Sequence, residues 1–215
     1  MVASVSTIPH FTVSDELVMD NLIALRQRLK PVFEEKGVKL SLMPFFIKAL
    51  SLALSEFEII NSQLNDDATE LRYFYDHNIG FAVDTLHGLM VPKIRNVDQM
   101  SLREIFEELK RVSKLCKELK IEKKEFFGGS MTISSLGGIG GNFFTPIINP
   151  PEVAILGVGK TFEKIKRVDG QFIVRKMLPV SLSYDHRVID GAEGARFCVH
   201  LSKSLGKDFA FKLAV

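Results

Sequence analysis

"SYDHRVIDGAEGARF", residues 183–197, is the stretch on which the reading of this chain turns. It closes an alternating run in which Val180, Leu182 and Tyr184 stand against serines, the period of a half-buried strand. It then sets Asp185, His186, Arg187, Asp190 and Glu193 in a row before a helical pattern resumes. One account is structural. Asp190 is a good N-cap and Glu193 stands three positions on, so D-G-A-E reads as a capping box for a last helix that runs to about Leu205. The other account is chemical. A histidine that leaves a buried strand at a fixed angle can serve as a general base, with Asp190 and the neighbouring charges holding its loop. By spacing alone, H-x-x-x-D supports either.

Upstream, "QFIVRKMLPVSLSY" and "VAILGVGKTFEKIKRV" read as strands joined by a hairpin turn at Asp169-Gly170. "SMTISSL" is a strand or strand end, and "GGIGGNFFTPIINPPE" a long loop. Ser101 and Glu104 form an S-x-x-E capping box for a helix whose buried face is Leu102, Ile105, Leu109, Val112 and Leu115. "ELRYFYDHNIGFAVDT" and "GLMVPKIRNV" have strand character, with a turn from Asp84 to Gly88. A helix after Pro44 is apolar almost all round and belongs deep in the core. Before it, Leu22, Leu25, Leu29 and Phe33 mark an amphipathic helix that Pro31 should kink or break and Gly37 should end. "IPHFTVSDEL" has the look of a strand. Helices and strands in this mixed order predict one α/β domain over residues 1–215, built on a mixed sheet, with no internal repeat.

Composition narrows the function classes. A net charge of +2 is too balanced to point to nucleic acid or a membrane surface. No apolar run approaches the roughly 20 residues of a membrane span; "SLMPFFIKALSLAL" carries Lys48 and suits a buried helix. Cys116 and Cys198 both fall in predicted helices and suggest a reducing compartment. No C-x-x-C or H-x-x-x-H spacing suggests a metal.

Two glycine patterns are weaker than they look. "AILGVGKT" has Ala154 where a phosphate-binding loop needs its first glycine, and a strand rather than a helix follows. "GGIGGN" places Phe143 at the third glycine of a dinucleotide fingerprint, so it reads as a closely packed loop after Ser134. His10, His77, His87 and His200 are scattered over different elements and read as structural or surface residues.

"DHRVIDGA" closely resembles the D-H-R-x-x-D-G signature of dihydrolipoamide acyltransferases, the E2 cores of 2-oxo acid dehydrogenase complexes. "IPHFTVSDEL", "MPFFIKALSLAL", "HNIGFAVDT", "HGLMVP", "TISSLGGIGG" and "PIINPPEVAILGVG" resemble that family's segments, in the family's order, over nearly the whole chain. The resemblance implies a chloramphenicol acetyltransferase-like fold, a mixed sheet covered by helices. It also implies transfer of an acyl group from S-acyl-dihydrolipoamide to the thiol of coenzyme A. His186 matches the family's base, Ser134 its oxyanion donor in the strand before the glycine loop, and Asp190 its Asp or Asn four residues after the histidine. Ser135 is the neighbour that could be confused with Ser134, and strand alternation lets only one of them face the site. Asp185, Arg187 and Gly191 complete the motif and hold its loop.

The same resemblance implies homotrimers with sites at subunit interfaces, assembled into a hollow cage, in a prokaryotic cytoplasm or the mitochondrial matrix. The apolar end "DFAFKLAV" suits an anchor between trimers. No lipoyl domain and no peripheral-subunit-binding domain is among these residues. The lipoyl group, and contacts with the E1 and E3 components, are therefore expected from domains outside this catalytic core. "TISSLGGIGG" and "NPPEVAILG" look like acetyl or branched-chain types rather than the succinyl type, and "KLSLMPFFIKA" leans to the branched-chain one. Two alternatives stand beside this: a cage-forming scaffold without catalysis, and an acetyltransferase for a small hydroxylated acceptor. The latter branch typically carries H-H, where this chain has Asp185-His186.

Overall fold

The computed structural model describes residues 1–35, 37, 40–206 and 209. In chain order its elements are α1 (Val2–Thr7), β1 (His10–Val18), α2 (Asp20–Glu34), α3 (Met43–Glu56), β2 (Ser62–Leu64), β3 (Leu71–Tyr73), β4 (Ile79–Phe81), β5 (Val83–Thr85), β6 (Gly88–Met90), β7 (Lys93–Ile94), α4 (Leu102–Lys117), β8 (Met131–Ser135), β9 (Ala154–Val158), β10 (Phe162–Val168), β11 (Gln171–Asp185) and α5 (Gly191–Ser204), with three short 3-10 turns between them. One mixed sheet organises the chain in the order β1-β11-β9-β8-β4-β7. β11 is antiparallel to both β1 and β9, β9, β8 and β4 run parallel, and β7 closes the sheet antiparallel to β4. Helices α3, α4 and α5 pack on one another or on the strands. β9, "AILGV", is buried at every position, as a run without alternation requires when both faces are covered.

Residues 44–50 of α3 are all buried, Lys48 included. Its ammonium donates to the carbonyls of Val97, Asp98 and Met100, which satisfies a charge that burial makes unfavourable and whose pKa burial lowers. α4 carries both halves of the expected capping box at Ser101 and Glu104. Its buried positions are Ile105, Phe106, Val112 and Cys116, while Leu102, Leu109 and Leu115 are half-buried, so the face is rotated slightly from the expected one.

Three local expectations are corrected. α2 continues through Pro31 to Glu34; the helical bond that proline forgoes would have gone to the carbonyl of Gln27, an exposed residue that water can serve. "ELRYFYDHNIGFAVDT" is not one strand but β3, β4 and β5, each in a different sheet. The Asp190 box is only half formed: Asp190 caps the Glu193 amide, but the Glu193 carboxylate turns to Arg196. Helix α1 had no clear periodic signal; Ser4 fixes it by donating to the Ile148 carbonyl at 2.7 Å. Of the apolar end "DFAFKLAV", only Phe209 is among the described residues, and its ring lies 6.2 Å from Phe45 in the core.

β11 is the longest strand, and its two halves differ. Residues 177–185 are all buried, between β1 and β9. Residues 171–176 run out with β10 as a hairpin arm. Between the pairs Val158↔Val180 and Phe162↔Met177 the register slips by one residue, a bulge that divides β9 from β10. The arm turns at Asp169 and Gly170, both at positive φ as a two-residue turn requires. On one of its faces Ile165, Phe172 and Val174 stand 68%, 77% and 59% exposed.

Candidate functional site

The buried end of β11 delivers the "DHR" loop. His10 of β1 lies opposite Asp185, and the Asp185 amide donates to the Val153 carbonyl, so this end of the strand is held on both sides. Asp185 is buried, and its carboxylate takes the Arg187 amide and two nitrogens of the Arg187 guanidinium, at 2.6–3.2 Å. The amides of Val188 and Ile189 both donate to the Asp185 carbonyl, closing a tight turn that seats Ile189 in the core. His186 is exposed in this turn, as Arg187 is, and is tied through its backbone amide to the Pro9 carbonyl. Its ring meets Phe11 edge-on, with centroids 5.0 Å apart, and lies 6.1 Å from Tyr184. The loop is thus braced by an ion pair whose carboxylate is buried and whose guanidinium reaches solvent, and the imidazole by an aromatic ledge. Asp190 and Gly191 start α5 just beyond, with the Asp190 carboxylate 2.7 Å from the Glu193 amide.

Ser134 is near the end of β8. It lines a cavity of about 290 Å³ whose other walls include Ala82, Val91, Thr132, Phe144 and Ile148. Ser135 does not line it; its hydroxyl accepts from the Gly137 amide, in keeping with alternation along a strand. Gly157 stands beside Ser134 in the next strand, and a Cβ there would collide with the Phe144 ring that closes over it. The glycine loop packs back on the sheet instead of opening a helix, and β10 rather than a helix follows β9, so neither glycine pattern has the strand–loop–helix setting of its motif.

His186 and Ser134 do not meet within one chain. Ser134 is level with Gly157 and so with Ser181, two strands away in β11, whereas His186 lies five residues beyond Ser181. At about 3.3 Å per residue and about 4.8 Å per strand, they stand roughly 15 Å apart along the sheet and roughly 10 Å across it.

Several residues near the site carry little or no sequence signal of a role. His10 bridges the Ile8 carbonyl and the Ile148 amide at 2.9 and 3.0 Å, tying the base of the histidine loop to the cavity wall. Thr132 was legible in principle, being two residues before Ser134 on the same face. Lys93 and Glu152, a fully buried ion pair, are 59 positions apart and show no local pattern. His77 is buried against Ser51, and burial holds its pKa down; His87 is exposed at a hairpin tip, and His200 packs on Phe57. Among the described residues no group of His, Cys, Asp and Glu could hold a metal ion, and no helix is long and apolar enough to cross a membrane.

Residues 1–210 match the family model for 2-oxoacid dehydrogenases acyltransferase (catalytic domain). The dihydrolipoyllysine-residue acetyltransferase component of the pyruvate dehydrogenase complex of Bacillus subtilis is 41% identical over 205 residues, which cover 95% of this chain and 46% of that protein. The mitochondrial lipoamide acyltransferase component of the branched-chain alpha-keto acid dehydrogenase complex of Bos taurus is 42% identical over 208 residues, 96% of this chain and 43% of that one. The chain therefore spans about half the length of the curated relatives it matches. A structure of Azotobacter vinelandii dihydrolipoamide acetyltransferase, solved to probe a serine, a histidine and an asparagine in its catalytic mechanism, superposes with a TM-score of 0.94 at 43% identity, covering 100% of this chain and 87% of that one. The cubic core of the pyruvate dehydrogenase multienzyme complex gives 0.94 at 42% identity, with the same coverage. Chloramphenicol acetyltransferase, at 15% identity and a TM-score of 0.61 over 93% of this chain and 90% of its own, shares the fold.

Proposed function

The chain belongs to the 2-oxoacid dehydrogenase acyltransferase family, and from that premise we propose that it moves an acyl group from S-acyl-dihydrolipoamide to the thiol of coenzyme A. The observation that carries this is the pairing of two separately built parts: an exposed histidine on a braced loop, and a serine facing an apolar cavity of acyl-group size. The serine and histidine of the Azotobacter enzyme are separated by the same number of positions as Ser134 and His186, and its asparagine follows at the position of Asp190.

In this mechanism the His186 imidazole takes the proton of the coenzyme A thiol as sulfur attacks the thioester carbon. A free thiol is mostly protonated at neutral pH, so general-base help of this kind is worth about 100- to 10,000-fold. The carbonyl oxygen becomes an oxyanion, and the Ser134 hydroxyl donates to it. Collapse expels the dihydrolipoamide thiolate, which recovers the proton from the imidazolium. Asp185, Arg187 and Gly191 keep the loop in place, and Asp190 joins it to α5. No metal takes part.

Because the two parts lie apart within a chain, we assign the complete site to an interface where one protomer supplies His186 and a neighbour Ser134. A homotrimer is the smallest assembly in keeping with the family, and the cubic core among the solved relatives is the model for a cage. The exposed apolar face of the β10–β11 arm suits contact with a second copy. A lipoylated domain brings the donor, and E1 and E3 bind through parts of the complex other than this core. The cavity walls carry no charged side chain, which favours an acetyl or branched-chain acyl group over a succinyl group. The setting is a bacterial cytoplasm or the mitochondrial matrix.

The test is acyl transfer itself, run in reverse from acetyl-, isobutyryl- and succinyl-coenzyme A to dihydrolipoamide. Turnover with the first two and little with the third is expected. A well-assembled particle with no turnover on any would make this chain a scaffold.

A further inference from the structure

The buried pair Lys93–Glu152 has no part in the chemistry above. Both side chains are 1% exposed. One Glu152 oxygen accepts from Lys93 Nζ and from Asn149 Nδ2, the latter at 3.0 Å; the other accepts from Thr132 Oγ1 at 2.5 Å. Lys93 Nζ also reaches Thr132 Oγ1 at 3.3 Å. The chain clears room for this cluster with two glycines: a Cβ at Gly80 or Gly129 would strike the Lys93 side chain. Four groups are thereby joined across three segments, β7, β8 and the turn at residues 149–152.

Stability is a poor reason for such an arrangement. A buried ion pair is often no better, and can be worse, than apolar residues of the same volume. What directional bonds supply is placement, since each fixes an atom more tightly than packing does. The atoms placed here belong to the proposed site. Thr132 precedes Ser134 by two residues on one face of β8, and Thr132, Ser134, Asn149 and Pro150 all line the same cavity. The cluster therefore clamps the strand that carries the oxyanion donor to the turn at residues 149–152, which also lines the acyl cavity.

We propose that Lys93, Glu152 and Thr132 are positioning residues that set where the Ser134 hydroxyl stands relative to the acyl carbonyl. This rests on the role given to Ser134 above. The deciding measurement is a double-mutant comparison in the assembled protein, with kcat and KM for acyl transfer. Thr132→Val should lower kcat about tenfold or more with KM for coenzyme A unchanged, because a misplaced transition-state contact acts on kcat. Thr132→Ser, which keeps the hydroxyl, should recover most of that loss. In a Ser134→Ala background, Thr132→Val should cost less than about twofold, since residues that act as a unit are non-additive.

Equal losses in both backgrounds would show that Thr132 acts independently of Ser134 and overturn the inference. Equal activity of the Val and Ser variants would overturn it as well. If Ser134→Ala alone leaves kcat unchanged, the assignment of Ser134 fails, and this inference falls with it. Should Thr132→Val not assemble, the paired change Lys93→Met with Glu152→Met removes both charges together and is read in the same two backgrounds.

Discussion

Two inactive variants should rescue each other. Ser134→Ala removes the oxyanion donor and His186→Ala the base; each should lower turnover, by about 100- to 1,000-fold and about 100- to 10,000-fold respectively. Co-expressed, the two chains assemble at random. The separation of the two side chains, roughly 15 Å along the sheet by strand geometry, means a working site takes its histidine from one chain and its serine from the next. In a closed ring a given interface has an even chance of receiving an intact histidine and an even chance of an intact serine, so about a quarter of sites should be whole. Mixed particles should recover about 25% of the unmutated turnover, far above either parent, with KM unchanged because the restored sites are intact. The assay is acetyl transfer to dihydrolipoamide on particles purified through a tag on each chain in turn. Mixed particles no more active than their parents would refute the interface site and require the two side chains to meet inside one chain.

Other outcomes follow from the same geometry. Ser135→Ala should leave turnover near normal where Ser134→Ala does not; the reverse, in steady-state kinetics, would move the donor by one residue. Gly157→Ala should drive a methyl into the Phe144 ring, costing about 1–3 kcal/mol of stability and raising KM for the acyl donor, read by thermal melting and kinetics. Burial pushes the Cys198 thiol up to about 12, above its unfolded value of 9.0. The folded protein thus favours the neutral thiol, so stability from this group is complete below pH 9 and is lost as pH rises toward 12, which melting temperatures across that window would show. A chain ending at Phe209 keeps the Phe45 contact but lacks the last six residues; if these anchor trimers to one another, light scattering should report a smaller particle.

Much of this was legible because local chemistry and global fold agreed. The box at Ser101, the Asp169-Gly170 turn and the mostly apolar α3 are each fixed by neighbours in sequence, and each is found where expected. The "DHR" loop was legible as a motif but not as a mechanism of bracing: the Arg187–Asp185 pair is local, whereas Phe11 and His10 come from the far end of the chain. The split of residues 70–85 into three sheets was not legible, since it depends on which distant strand each short piece meets. Lys93 and Glu152 illustrate the limit most clearly. An isolated lysine and an isolated glutamate ordinarily belong in water, and only the fold makes partners of them.

The length of β11 has a consequence for how relatives of this chain can vary. One unbroken strand of 15 residues, roughly 50 Å of backbone, is at once the hairpin arm, a central member of the sheet and the stalk of the histidine loop. Removing a single residue between 177 and 184 would exchange the two faces of the part beyond it, taking Tyr184 away from Gly194 of α5 and breaking the pairing of the buried serines with Thr12 and Ser14 of β1. Loss or gain of length is harmless only at the tip, around Asp169 and Gly170, where the two arms of the hairpin can shorten or lengthen together. The reach of the arm can therefore drift between relatives, while parity allows the stretch from the sheet's centre to His186 to change only by whole pairs of residues.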